Sequence, residues 1–432
     1  IPAHASVAVD NSFAVRWTIK LISTCNSNHP SKRKLKGTMN GLKNVFTKLS
    51  TNFYKATTAS DERPADVYPS VGICSKARIA WPPRLTCAPR VLGEVKDESG
   101  RHYPRDLGRS VELGGHHYYI FGDTFCFNNE GDFVGVTNNS IALIPDLNAP
   151  TKSRYYSPEA KVPEFVRHTA EERRFCERPE NIKDNRRLVT WSFGGIIKIP
   201  GSEGREGWLF FDPVETLGGN AVRQTGVGVA RVKVTAPDGK IECERVGQFP
   251  LFPADGPLWG NMSNISAPDG WTYLLSGKGL DNYMARIRTD DNFADAANYQ
   301  FLKKNGKWES TYTEPHGPFG ELAHDVLCGQ GQGAIIHLPD FSPLGKEYLW
   351  FGCEKFMTSK LYVGAAPRPE GPWEVHSLGE MPKITEQAKT RYCIYPHIWG
   401  SDLSEGKFLI TWSDDGTMGG KVAAGIFEFA MD

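Results

Sequence analysis

Asp106 lies in the run Arg105-Asp106-Leu107-Gly108-Arg109-Ser110, a carboxylate between two guanidinium side chains. Neighbouring cations lower a carboxyl pKa, so this setting predicts an ionised aspartate, suited to act as a nucleophile or as a base on water. A turn aspartate paired with an arginine for structural reasons would read the same way. Further on, Phe121-Gly122-Asp123-Thr124-Phe125 closes a very apolar run. Asp123 there either sits at a strand end within a site or caps a turn through its own side chain. Asp212, Asp325, Glu354 and the pair Asp414-Asp415 also fall at the ends of expected strands. Cleaving a glycosidic bond needs two facing carboxyl groups, one an acid and the other a base or nucleophile. Asp106, Asp123 and Glu354 are the catalytic candidates, and the sequence leaves open which pair meets.

A second constellation is Arg391-Tyr392-Cys393-Ile394-Tyr395-Pro396-His397-Ile398-Trp399. Arginine and aromatics at a cavity mouth suit stacking on a sugar ring or a polyphenol. Tyr392 and Trp399 serve equally well as packing between sheets. Arg105, Arg109, Arg391, His397 and Asp414 are the candidate substrate contacts. There is no P-loop, dinucleotide-binding glycine pattern, HExxH or GxSxG, and His324-Asp325 lacks metal-ligand company. No cofactor is expected; a structural calcium ion in a central channel is the one metal the reading leaves room for.

The elements that must position these residues repeat along the chain. Turns lead into paired apolar-aromatic strands: HHYYIFGDTFC and SIALIPD, GWLFFDP and GVGVARVKV, GWTYLLSG and YMARIR, KEYLWFGC and KLYVGAA, KFLITWSDDG and KVAAGIFEFA. Each pair follows another apolar stretch: RSVELGG, LVTWSFGGIIKIP, NMSNISAP, GQGAIIHLP and YCIYPHIWG. Three or four strands per unit, five times over, predict an all-β, five-bladed β-propeller over residues 76–432. The residues that open the innermost strands then converge on one mouth of the channel. Glu159 to Arg187 reads as a long charged loop.

Residues 1–75 read as an irregular N-terminal extension, with a basic cluster at Lys32, Arg33, Lys34 and Lys36 and one short apolar helical face at Leu42, Val45, Phe46 and Leu49. Lysine plus arginine equals aspartate plus glutamate, 50 against 50, which argues against general attraction to nucleic acid or acidic membranes. No apolar run is long enough to span a bilayer. Nine scattered cysteines without a C-x-x-C exclude a zinc ribbon and fit either a secreted protein or buried thiols. The sequons at Asn138, Asn261 and Asn264 agree with secretion. A secreted monomer acting on a glycan or small molecule is expected.

PRDLGRS, YYIFGDTFC, NSIALIP, GQGAII, SKLYVGAAPRPEGPW, YCIYPH and WSDDGTMGGKV, in this order, resemble a largely fungal branch of a propeller family long known only as a domain of unknown function. Its bacterial members include endo-D-arabinanases. The resemblance covers roughly residues 88–432. It implies a five-bladed, glycosidase-like propeller, a retained Asp106, and Asp123 in the Gly-Asp-Thr motif. It also implies a glycoside hydrolase using carboxylate acid/base chemistry at the channel mouth. The strands entering blades two and three carry no carboxylate, a departure from arabinanases and β-xylosidases. That departure keeps two alternatives open, a fungal secondary-metabolism cyclase of pericyclase type working by proximity and a non-catalytic glycan-binding module.

Overall fold

The computed structural model describes residues 77–432 except 158, 218–221, 311–321, 356–357 and 416–419; the expected extension over 1–75 lies outside the described residues. Five antiparallel sheets form the five blades of a β-propeller. All five apolar stretches upstream of the strand pairs are inner strands. Blade 1 starts with Arg105–Leu113 and blade 2 with Arg186–Trp191 and Ile196–Lys198. Blades 3, 4 and 5 start with Ser263–Ser266, Gln330–His337 and Arg391–Asp402. The inner strand of blade 5 packs against those of blades 1 and 4, and that of blade 3 against blades 2 and 4. The ring closes because Arg90–Glu94, ahead of blade 1 in the chain, pairs with Lys421–Glu428 as the outermost strand of blade 5.

Aromatic residues fill the wedges between blades, since flat, wide rings bury large apolar areas where twisted sheets diverge. Trp259 is fully buried against Phe252, Phe301 and Tyr283, and Trp350 and Trp412 are fully buried in blades 4 and 5. The stretch read as a charged loop contains two helices instead, α1 (Ala170–Glu177) and α2 (Pro179–Lys183). Thr169 and Glu172 form a capping box that starts α1. No helix among the described residues is long and apolar enough to cross a membrane.

The described cysteines are all free thiols, three of them buried (Cys126, Cys353 and Cys393). Two of the sequons are spent inside the protein. Asn138 is buried and its amide donates to Asp123, while Asn264 donates to the carbonyls of Gly194 and Gly260.

Candidate active site

The inner strand of blade 1 does not follow simple alternation. Its register against His116–Phe127 shifts between Arg105 and Leu107 and again between Leu107 and Arg109. Leu107 and Gly108 both have φ of 78°, a left-handed conformation that costs a non-glycine residue of the order of 1–3 kcal/mol. These bulges separate three neighbouring charges that the sequence places side by side.

Arg105 turns away from the channel. Its guanidinium donates to the Tyr155 hydroxyl, the Val95 carbonyl and Ser153 Oγ, and lies 3.7 Å from the Phe121 ring centroid. Arg109 reaches into the channel, where Nη1 donates to the carbonyls of Phe193, Met262 and Gly333 from blades 2, 3 and 4. Its guanidinium also lies 5.3 Å from the Tyr395 ring of blade 5. One side chain thus touches all the other blades. Neither arginine pairs with Asp106, which corrects the expectation of a carboxylate held ionised between two cations.

Asp106 instead faces Asp123. Protein surrounds both carboxyl groups, yet each residue keeps some surface that solvent reaches. Gly122 makes the approach possible, because a Cβ there would lie 2.4 Å from Asp106 Oδ1. That oxygen is buried and has no hydrogen-bond partner among the described residues, while Oδ2 accepts from the Tyr392 hydroxyl at 2.9 Å. Burial first, and then the charge of Asp123, push the Asp106 pKa up to about 7 against the pull of the Tyr392 hydrogen bond. Burial raises Asp123 too, but Asn138 and Trp191 donate to its Oδ1 at 2.8 and 3.2 Å and Arg187 favours its charged form. The rings of Trp191 and Phe193 lie 5.8 Å apart beside the pair.

Asp415 is the third carboxyl group, close enough to raise Asp106 further and itself raised by burial. Its neighbour Asp414, expected as a substrate contact, is placed differently. Asp414 is fully buried and its Oδ2 accepts from the backbone amides of Ile384 and Thr385, so it anchors a loop. Glu354 ends the second strand of blade 4, opposite the start of that blade's inner strand, and hydrogen-bonds Tyr362. It does not join the Asp106 pair. Asp212 is buried in blade 2 with no charged neighbour acting on it, and Asp325 is exposed on a loop.

Arg391 and His397 are not at the mouth either. Arg391 is buried and donates to the Met381 carbonyl and to Glu380. His397 is fully enclosed between blades 5 and 1. Thr411 donates to the Gly108 carbonyl, so it accepts from His397 Nε2, and Ser110 Oγ, which accepts from Trp399, has its own proton free for His397 Nδ1. This suits an imidazole protonated on Nε2, and burial, which pushes its pKa down to about 3, keeps it neutral.

The residues that sequence reasoning missed are Tyr392, Asn138, Trp191 and Asp415. Tyr392 reads from sequence as packing and Asn138 as a sequon. Tyr392 lies at the start of the blade 5 inner strand and Asn138 in the bend between Phe133–Thr137 and Ser140–Leu143.

No protein-family model matches the chain, and no curated protein matches it. The resemblance to the domain-of-unknown-function family therefore stands on the motifs alone. Among solved structures, a Bacteroides ovatus protein provisionally classed as a hydrolase superposes with a TM-score of 0.51 at 15% identity, over 75% of this chain and 85% of its own. An exo-β-1,3-galactanase from Phanerochaete chrysosporium has a TM-score of 0.43 at 12% identity, over 78% of this chain and 63% of its own. At these identities the first likeness concerns the fold, and the second carries no argument.

Proposed function

We propose that the chain is a glycoside hydrolase whose acid and base are Asp106 and Asp123. One observation carries this reading. Two carboxyl groups interact directly, burial raises the pKa of each, and no cation acts on Asp106. Two like charges in a low-dielectric site do not both ionise, so the pair retains a proton near neutral pH. Asp123 has Asn138, Trp191 and Arg187 to hold the negative charge. Asp106 has Tyr392 and the Asp123 backbone amide to favour its charge, but the negative charges of Asp123 and Asp415 oppose it, so we place the proton there.

The roles follow. Asp106 donates its proton to the glycosidic oxygen as the bond to the leaving group breaks. Asp123, as the carboxylate, takes a proton from the incoming water or attacks the anomeric carbon. Trp191 and Phe193 offer apolar ring faces to the sugar. This assignment reverses the sequence expectation that Asp106 would be the charged base. Arg391 and His397, expected at a mouth suited to a sugar ring or a polyphenol, are both interior.

The test is release of reducing sugar from a panel of glycosides and polysaccharides. Asp106→Asn keeps shape and removes the acid, and is expected to lower kcat/KM by roughly 10²–10⁴. Undiminished turnover in a folded Asp106→Asn protein would refute the role.

A further inference from the structure

Beyond the carboxyl pair, the same blade carries a surface that the proposed reaction does not use. From Asp123 the strand continues as Thr124-Phe125-Cys126-Phe127, with Thr124 and Cys126 buried and Asp123, Phe125 and Phe127 partly open. This period-two pattern puts the two phenylalanines on the face that carries Asp123. The neighbouring strand, Phe133–Thr137, supplies the second column. Thr124 pairs with Thr137, Phe125 with Val136 and Phe127 with Phe133, so the columns run from Asp123 and Asn138 outward to three phenylalanines. The Phe133 ring lies 5.9 Å from that of Phe125 and 5.8 Å from that of Phe127. Phe133 is 43% exposed and its neighbour Val134 39%.

Four residues at about 3.4 Å rise make this strip roughly 14 Å long. Its chemistry is selective. Oligosaccharide subsites need hydrogen-bond donors and acceptors beside the stacking rings, and phenylalanine, unlike tryptophan or tyrosine, brings no polar tip. Asn138 is already bonded to Asp123, and the exposed His102, 5.7 Å from the Phe127 ring, is the one polar ring in contact with the strip. Three adjacent phenylalanine rings, one of them 43% exposed, offer a surface that an apolar ligand would cover.

We infer that the substrate of the carboxyl site is a glycoside with an apolar aglycone, whose tail lies along Phe125, Phe127 and Phe133 while its glycosidic bond sits at Asp106 and Asp123. The inference rests on the proposed hydrolase reading for the headgroup and on the strip for the tail. Its test is a binding measurement. Methyl, butyl and octyl glycosides of glucose, galactose, xylose and arabinose, below their micelle concentrations, are titrated against the full chain by calorimetry. Quenching of Trp191, which touches Asp123, serves as a second readout. For at least one sugar the octyl glycoside is expected to bind tenfold or more tightly than the methyl glycoside. That gap is expected to shrink below threefold in Phe133→Ser, an exposed position that leaves the fold intact, and in Phe125→Ala.

Equal binding of methyl and octyl glycosides overturns the inference, as does a gap that survives both substitutions or a failure of the whole series to bind. Linear oligosaccharides that bind tighter with length and lose that gain in Phe133→Ser would assign the strip to sugars and overturn it as well. The readout does not depend on turnover. A tail-length gap present in a protein that hydrolyses nothing would sink the proposed reaction and leave the strip standing, and the gap should persist in Asp106→Asn.

Discussion

A carboxyl group keeps its proton near neutral pH when burial strips it of water and no cation replaces that water. Asp106 meets both conditions only because the bulges at Leu107 and Gly108 send Arg105 and Arg109 elsewhere. The largest opposing influence, ahead of the Asp123 backbone amide, is the Tyr392 hydroxyl, which favours the charged form. Removing it in Tyr392→Phe should raise the Asp106 pKa and carry the alkaline limb of the kcat/KM profile to higher pH. A limb that stays in place would mean that another group sets it. Gly122 tests the same geometry sterically. A Cβ there would lie 2.4 Å from Asp106 Oδ1, so Gly122→Ala should displace the carboxyl group. Activity is expected to drop by about 10²-fold with little change in melting temperature. Equal losses of activity and stability would point to a packing role instead.

Among the elements, the five inner strands were legible because each is an apolar stretch ahead of an apolar-aromatic pair. What the sequence concealed was where their side chains point. Arg105 and Arg109 are an even number of residues apart, so regular pleating would put them on one face. Two register shifts between them break that parity, and nothing in a one-letter string marks a left-handed leucine. For the same reason Arg109 looked like a substrate contact, whereas it ties the inner strands of blades 2, 3 and 4 to blade 1. Arg109→Met keeps much of the bulk and leaves three carbonyls, two of them in buried contacts, without that donor. At about 1–3 kcal/mol for each unsatisfied group, and with water able to reach some of them, a loss of about 3 kcal/mol is expected in denaturant unfolding. A loss under 1 kcal/mol would show that the channel tie is dispensable. The helix α1 is the opposite case. Its Thr169–Glu172 capping box is a readable signature that the dense charge of the segment masked.

At the scale of the whole molecule, ring closure depends on Arg90–Glu94, a short and half-exposed strand whose partner lies at the far end of the chain. Local pattern cannot announce so distant a pairing, and the carboxyl cluster is likewise assembled from blades 1 and 5. Its coupling to the global equilibrium gives a test that needs no substrate. Asp106 binds its proton more tightly folded, with a pKa of about 7 against an ordinary 3.8. Its contribution to stability is therefore full below about pH 3.8 and is lost as pH rises through 7. His397 has the opposite sign, because it is held neutral when folded, with a pKa of about 3 against 6.5. Its contribution is full above pH 6.5 and is lost as pH falls toward 3. Over the shared window the two slopes oppose, which flattens the stability profile of the native protein. Asp106→Asn removes one of them. Relative to the native protein, the variant should gain stability by about 1.4 kcal/mol per pH unit between pH 4 and 7, the window belonging to the Asp106–Asp123 pair as a unit. By pH 7 it should unfold at least as high as the native chain while lacking activity, as expected where a buried ionisable group is kept for chemistry at the expense of stability. A pH-independent difference between the two proteins would mean that Asp106 titrates like a solvated carboxylate, and the acid role would fall with it.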